Sequence, residues 1–195
     1  MKKVTLRAIE PEDLDVLYEI ENDLDLWTVG YSNSPYSRYL LHDYIANSQC
    51  DIYADRQLRL IVENEEGEVV GIADLNDFEP RHNRAEMGIV VRKGFRGEGY
   101  ARAMVMHLLD YARSIIHLHQ LYVVIAEDNH QVLDMFRSIG FTGEKMLDDW
   151  LFDGQKYTNA VFLHFFSFYL CVSVKNSTFA PLFSASPVNK NETFL

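Results

Sequence analysis

Residues 87–116 contain a strand pattern, a glycine-rich turn and a helix pattern in direct succession. The apolar run MGIVV is followed by RKGFRGEGYA and then by RAMVMHLLDYARSII. The apolar run predicts a buried strand, and the last segment repeats apolar residues at the spacing of a long helix. The turn holds three glycines and three cations within ten residues. The sequence therefore predicts a basic, glycine-rich loop that leads from a strand into a helix.

This loop has two interpretations. Successive backbone N–H groups at a helix N-terminus, together with the helix dipole, make a site for a phosphate or a pyrophosphate. Gly97 and Gly99 would let the backbone approach such a ligand, and Arg92, Lys93 and Arg96 would add positive charge. The alternative is a tight connection with solvated cations. A P-loop is excluded because G-x-x-x-x-G-K-[ST] is missing, and a Rossmann site is disfavoured because the loop lies mid-chain after a hairpin.

The other patterns along the chain place this unit in a layered fold. Strands are predicted over residues 3–9, 84–92 and 120–127, with hairpins over 58–78 (turning near Gly67) and 141–166. Helices are predicted over residues 11–20, 39–45, 98–116 and 129–140, and an irregular connection over 23–37. This order predicts an α/β (α+β) fold with helices on both faces of a mixed sheet. We predict one domain over residues 1–167 and a poorly ordered C-terminal tail over 168–195, where no period is evident.

Composition and charge exclude several classes of protein. The chain has 195 residues and a net charge of −11, which argues against non-specific binding to nucleic acid. The N-terminus has no signal-peptide pattern, and the longest apolar run, residues 160–174, is shorter than the ~20 residues of a membrane-spanning helix. We therefore expect a cytoplasmic protein with no membrane partner. The two cysteines and seven histidines form no metal-ligand pattern, so no metal is predicted.

Three features together carry a resemblance to a known family. Residues 96–101, RGEGYA, match the R/Q-x-x-G-x-G/A signature with which the GNAT superfamily of N-acetyltransferases binds acetyl-CoA. The strand before the signature and the helix after it match as well, and VVIAEDNHQVLDMFRSIGF resembles the second conserved block of the superfamily. The resemblance covers roughly residues 3–166. Through NRAEMGIVV, LLDYARSIIHLHQLYV and LFDGQKY, the chain looks most like bacterial spermidine/spermine N-acetyltransferases and the enzymes that acetylate ribosomal-protein N-termini.

The resemblance implies the GNAT fold with a splayed strand pair, acetyl-CoA as cosubstrate, and a homodimer or a higher homo-oligomer. The backbone of Ile89, Val90 and Val91 would pair with the pantetheine arm like an added strand. Asn129 would contact the coenzyme near that arm, although an N-cap role alone also explains this residue, and Phe136 would lie beside the thioester. The pyrophosphate would be held by Arg96, Gly97, Glu98, Gly99, Tyr100 and Ala101.

The implied reaction is direct attack of a neutral amine on the thioester. The N–H of Val90 would bind the oxyanion, and Asp74 or Glu86 would accept the amine proton, directly or through water. Asp77, three residues after Asp74, would face the other side of a regular strand. Each carboxylate could equally be solvated or ion-paired. The second block usually supplies a tyrosine that protonates the thiolate; Phe136 stands there and has no proton to give, so water or another group must act, or activity is low.

The acceptor site is predicted in the irregular connection. Trp27, Tyr31 and Tyr36, together with Asp74, would bind an amine through cation–π contacts and charge, although the aromatic residues could equally be loop anchors. The four acidic residues within 19–25 favour a polyamine. The leading prediction is therefore an acetyl-CoA-dependent N-acetyltransferase that acts on a polyamine such as spermidine. The alternatives are a protein N-terminal acetyltransferase of the ribosomal-protein type and an acetyl-CoA-binding module with weakened catalysis.

Overall fold

A computed structural model describes residues 2–27, 34–49, 51–152 and 154–167. These residues form a seven-stranded sheet and six α-helices. The strands are β1 (Thr5–Ala8), β2 (Leu58–Glu63), β3 (Val69–Glu79), β4 (Arg84–Val91), β5 (Gln120–Ala126), β6 (Thr142–Phe152) and β7 (Tyr157–Phe166). The helices are α1 (Leu14–Glu21), α2 (Leu24–Trp27), α3 (Arg38–Asn47), α4 (Ile52–Asp55), α5 (Tyr100–Tyr111) and α6 (His130–Ile139).

The sheet has the strand order β1-β2-β3-β4-β5-β7-β6. Strands β4 and β5 run parallel, and every other neighbouring pair in the described sheet runs antiparallel. The pairing of β4 with β5 covers three residue pairs, of which the last joins Glu86 to Tyr122. Beyond this pair the two strands part and leave a gap, which we call the wedge. The wedge is closed at Glu86 and Tyr122 and open at Val91, so the splayed strand pair is confirmed.

Helices cover both faces of the sheet, and strand alternation decides which side chains they meet. On one face α5 and α6 pack over a large core that includes Met87 and Leu121. On the other face α1 and α3 pack over a smaller core that includes Ile61 and Ile72. Successive side chains of a strand point to opposite faces. Glu86, next to Met87, therefore lies on the side of the sheet that carries α1, which we call the α1 face.

The predicted elements are confirmed, with shifts at their ends. The helix predicted over 98–116 begins at Tyr100 and continues after Tyr111 as a π-helical segment, Ala112–Ile116. Two helices were not predicted: α2, which lies within the predicted irregular connection, and α4. Each has four residues, about one turn, which is too short to produce an apolar period in the sequence.

A partly buried ion pair fixes the start of α1 against the sheet. The Arg7 guanidinium donates to both carboxylate oxygens of Asp13, at 2.8 and 2.7 Å, and its Nε donates to Glu63 Oε1 at 2.8 Å. Asp13 also accepts the Glu10 N–H at 2.8 Å. Burial opposes ionisation of Asp13, but the bonds from Arg7 and Glu10 hold its pKa below the usual range. The helix that carries part of the candidate site is thus tied to β1.

Three further predictions concern the C-terminal tail, membrane-spanning helices and metal sites. The tail at 168–195 lies outside the described residues, so its order stays a prediction. Within the described ranges, no helix is long and apolar enough to cross a membrane. Among the same residues, no group of three or more His, Cys, Asp or Glu side chains is arranged to hold a metal ion.

Candidate active site

The wedge exposes the backbone groups of alternate β4 residues. Arg92 donates its N–H to the Val70 carbonyl oxygen of β3 at 2.9 Å. Every second residue of an antiparallel strand directs its N–H and C=O to the same neighbour. Val90 therefore shares the orientation of Arg92 toward β3, whereas Ile89 and Val91 direct their backbone groups into the wedge. This phase is at odds with the predicted role of the Val90 N–H as oxyanion donor and favours the N–H of Ile89.

Gly71 supports the same assignment and explains a close approach between strands. A Cβ placed on Gly71 would lie 2.0 Å from the Val90 carbonyl oxygen and 3.1 Å from Met104 Cε. The first of these neighbours is a backbone atom, so rotating a side chain would not relieve the clash. Glycine is required at position 71 because the Val90 carbonyl points toward β3 and closely approaches its backbone.

The glycine-rich loop forms an open cradle at the N-terminus of α5. Gly97 and Gly99 adopt φ of +80° and +87°, in the left-handed region that other residues rarely enter. A Cβ on either glycine would meet no atom within 4 Å, so the space above both is open. The ring of Tyr100, the first residue of α5, packs edge-on against Phe95 with centroids 5.7 Å apart. Open space, unpaired helix N–H groups and the helix dipole suit a pyrophosphate.

The cations around the cradle are bound by carboxylates of the α1 region. Arg96 Nη2 lies 3.1 Å from Asp23 Oδ2, and Arg92 Nη2 lies 2.8 Å from Glu19 Oε2. Glu21, between them, pairs with Arg59 of β2. The acidic run taken to favour a polyamine is therefore neutralised largely by arginines, which removes the direct support it offered. The Asp25 side chain lies outside the described part.

Asp74 is held in a bidentate ion pair. Both of its carboxylate oxygens accept from Arg59, with Nε–Oδ1 at 2.9 Å and Nη2–Oδ2 at 2.8 Å. Arg59 also lies over the Tyr44 ring, 5.7 Å from its centroid. Of the two interpretations of Asp74, this geometry supports the ion pair. Asp77 is exposed at φ +48°, where the register of β3 shifts, so it lies outside the regular alternation.

Glu86 lies at the closed end of the wedge. Its side chain is buried, with 8% of its surface exposed, and it is in register with Asn76 on β3 and Tyr122 on β5. The pKa of Tyr122 is raised to about 12. Burial is the largest cause, and the negative charge of Glu86 is the next. The Tyr122 ring stacks on Phe162 of β7, with centroids 5.3 Å apart and planes 23° from parallel. Of the two predicted bases, Glu86 is thus the one that borders the wedge.

The second conserved block supplies packing and a helix cap. Phe136 is buried and meets Phe141 edge-on, with ring centroids 4.9 Å apart. Asn129 caps α6 through its Oδ1, which accepts the N–H of Val132 at 3.4 Å. The capping role of Asn129 is confirmed; contacts of Asn129 and Phe136 with the coenzyme stay predictions.

The predicted acceptor aromatics are only partly described. Tyr36 is half-buried and packs against the core beneath α1. Its backbone is tied to Asn22, which accepts the Tyr36 N–H at 2.9 Å and donates to the Tyr36 carbonyl at 3.2 Å. Trp27 ends α2, but its side chain lies outside the described residues, as does the whole of Tyr31. Their roles in acceptor binding stay predictions.

Arg59 is the residue of the site region that the sequence analysis missed. Its partner Asp74 lies directly across the hairpin of β2 and β3. A β-bulge shifts the register of this hairpin between Val62 and Glu63. Counting residues outward from the predicted turn near Gly67 would therefore have paired Arg59 with Ala73, so the local sequence gives no signal for the Arg59–Asp74 pair.

The described residues fit acetyl-CoA on their own geometry. When bound, acetyl-CoA supplies an activated acetyl thioester and a thiolate leaving group. The open cradle at Gly97 and Gly99 would hold its pyrophosphate. Ile89 and Val91 offer backbone donors and acceptors to an extended arm. The predicted role of Glu86, at the closed end, as acceptor of the amine proton stays a prediction.

The chain is similar to curated acetyltransferases along most of its length. It is 26% identical over 155 residues to the spermidine N(1)-acetyltransferase of Vibrio cholerae, covering 80% of this chain and 88% of that protein. It is 26% identical over 159 residues to the Escherichia coli K12 enzyme of the same name, covering 81% and 83%. It is also 25% identical over 156 residues to the putative ribosomal N-acetyltransferase YdaF of Bacillus subtilis, covering 76% and 83%.

Solved structures show the same fold. The crystal structure of the Vibrio cholerae spermidine N-acetyltransferase in complex with CoA and spermine has a TM-score of 0.76 and 25% identity, over 84% of this chain and 95% of that one. A dodecameric structure of that enzyme has a TM-score of 0.73 at 25% identity, over 84% and 94%. Residues 3–142 match the acetyltransferase (GNAT) domain family. Because this match takes in both the wedge and the cradle, the chain belongs to the GNAT family and is an acetyl-CoA-dependent N-acetyltransferase.

Proposed function

We propose that this N-acetyltransferase acts on a primary amine of a polyamine such as spermidine. The observation that carries the proposal is the buried Glu86 at the closed end of the wedge, beside the stacked rings of Tyr122 and Phe162. A carboxylate next to aromatic faces suits an alkylammonium ion, which the rings attract and which must lose a proton before it can attack. The spermidine acetyltransferases among the relatives support the same acceptor class.

The side chains would divide the work of acyl transfer. Glu86 takes one proton from the alkylammonium ion, and the resulting neutral amine attacks the acetyl carbon. As the C–N bond forms and the C–S bond breaks, the nitrogen loses its second proton through water to the thiolate or to solvent. The N–H of Ile89 binds the oxyanion, and the α5 N-terminus holds the pyrophosphate. Phe136 offers no proton to the thiolate. Asp74, bound on both oxygens by Arg59, neutralises that arginine and does not act as the base.

Binding and turnover assays test the proposal separately. Acetyl-CoA should raise the thermal unfolding midpoint, and no stabilisation would overturn the coenzyme site. Thiol release should then be fastest with spermidine among diamines, amino acids and peptides. Fastest release with a ribosomal-protein N-terminal peptide would favour the protein acetyltransferase, and stabilisation without turnover on any acceptor would favour a non-catalytic module.

A substitution of Glu86 tests its role as the base. Glu86→Gln should lower kcat by about 10²- to 10⁴-fold, the usual contribution of a general base, while acetyl-CoA binds normally. Glu144→Gln is the matched control, because Glu144 is exposed on β6 and pairs with Arg137 away from the wedge. Equal kcat values for the two variants would show that Glu86 is not the base.

A further inference from the structure

The side chain of Arg96 lies across the open end of the wedge. Its Nε donates to the Val91 carbonyl oxygen at 3.0 Å, and its Nη2 lies 3.1 Å from Asp23 Oδ2. One guanidinium therefore joins the last residue of β4 to a residue just beyond α1. We call this double contact the crossbar.

The crossbar occupies groups that the coenzyme also needs. The Val91 carbonyl faces the wedge, as the phase of the β3–β4 ladder requires, and an arm that pairs with β4 would use it as an acceptor. Arg96 is also the first residue of the 96–101 signature in the cradle, where its positive charge suits a pyrophosphate. In the structure these two groups bond to one another, and the guanidinium also contacts the Asp23 carboxylate.

The neighbouring Arg92 binds the sheet and does not cross the wedge. Arg92 pairs with Glu19 at 2.8 Å, and its Nη1 donates to the Val69 carbonyl on β3 at 2.8 Å. That bond holds Arg92 against the sheet and away from the wedge. Beneath the two arginine pairs lies a cleft of about 250 Å³, lined in part by Ile20 and Leu26. The end of α1 is thus held over the cleft by one fixed contact and one that can be exchanged.

We propose that coenzyme binding exchanges the partners of Arg96: its guanidinium moves from Val91 and Asp23 to the pyrophosphate, and the coenzyme arm takes the Val91 carbonyl. Asp23 is thereby a competitor of the coenzyme for Arg96, and it loses this ion pair when the coenzyme binds. The exchange rests on the arm pairing with β4 as proposed above.

The energy scale of this competition is modest. The side chains of Arg96 and Asp23 are 36% and 23% exposed, so their ion pair belongs to the weak, partly solvated class. Removing the competing charge should tighten coenzyme binding by about two- to fivefold at low salt, and salt should reduce the effect by screening it.

Calorimetry with CoA and the coenzyme-free protein tests the exchange through binding alone. Asp23→Asn should bind CoA about two- to fivefold tighter than the unmodified chain. Asp15→Asn is the control: it makes the same charge change on α1, where Asp15 pairs with Arg38, and it should leave the CoA affinity almost unchanged. In an Arg96→Gln background, Asp23→Asn should no longer tighten binding.

Three outcomes would overturn the exchange. Asp23→Asn could match Asp15→Asn, it could weaken CoA binding, or it could tighten binding equally with and without Arg96. Failure of the unmodified chain to bind CoA would instead refute the coenzyme site itself, and the exchange with it. The two failures are therefore distinguishable in one set of titrations.

Discussion

Replacing Gly99 by alanine should separate the stability of the fold from coenzyme binding. Gly99 has φ +87°, and a Cβ placed on it meets nothing within 4 Å. The cost to the fold is therefore backbone strain alone, about 1–2 kcal/mol for an L-residue in the left-handed region. In a domain of this size, that lowers the thermal midpoint by about 2–8 °C.

The cost to coenzyme binding should be larger, because the open space at Gly99 is where the pyrophosphate would approach the backbone. A methyl group there would displace at least one N–H from a charged phosphate oxygen. A hydrogen bond to a charged group contributes about 1.5–3 kcal/mol. At 1.4 kcal/mol per factor of ten, Gly99→Ala should weaken CoA binding by about 10- to 150-fold.

Gly154→Ala provides the matched control. Gly154 also has a positive φ, +95°, with nothing within 4 Å of an added Cβ, but it lies in the turn between β6 and β7. Both variants should lose similar stability in thermal unfolding, whereas calorimetry with CoA should detect a loss of affinity only in Gly99→Ala. Equal CoA affinities in the two variants would refute the cradle as the pyrophosphate site.

Two further results are expected. Asp13→Asn should lower the free energy of unfolding by its full amount above about pH 5 and by progressively less below pH 3.8, because a carboxyl with a lowered pKa stabilises the fold only while it is ionised. Urea unfolding at several pH values measures this loss. A loss that does not change with pH would contradict the Arg7 pair. Phe136→Tyr should raise kcat by up to about 10²-fold, the lower end of what a positioned proton donor contributes, without changing KM for the amine. An unchanged kcat would show that thiolate protonation does not limit turnover.

The cradle could be predicted from the sequence because its determinants are local. Gly97 and Gly99 lie in the loop directly before a helical pattern, and glycine adopts a left-handed backbone at both positions at low cost. The closing hairpin and the Asn129 cap follow from equally short patterns. Each of these features depends on a few adjacent residues and needs no knowledge of what packs against them.

The charge pairing could not be predicted in the same way. From the sequence, the acidic residues near the end of α1 indicate a cation site. Their partners Arg92 and Arg96 lie 73 residues further along the chain, so no local pattern shows that these carboxylates are already paired. The choice between Val90 and Ile89 likewise depends on the phase of the ladder with β3, which no local pattern specifies. Both features depend on residues that are distant in the sequence.

The short contact between β4 and β5 also has a mechanical consequence. In the described sheet, β1 to β4 form one half and β5 to β7 the other, and three residue pairs join the halves. These pairs join the halves at one end of the seam, together with His119, whose N–H donates to the Asn83 carbonyl at 2.8 Å. A ligand that bridges the seam along Ile89 and Val91 would stiffen the joint, so amide exchange across both halves should slow when CoA binds.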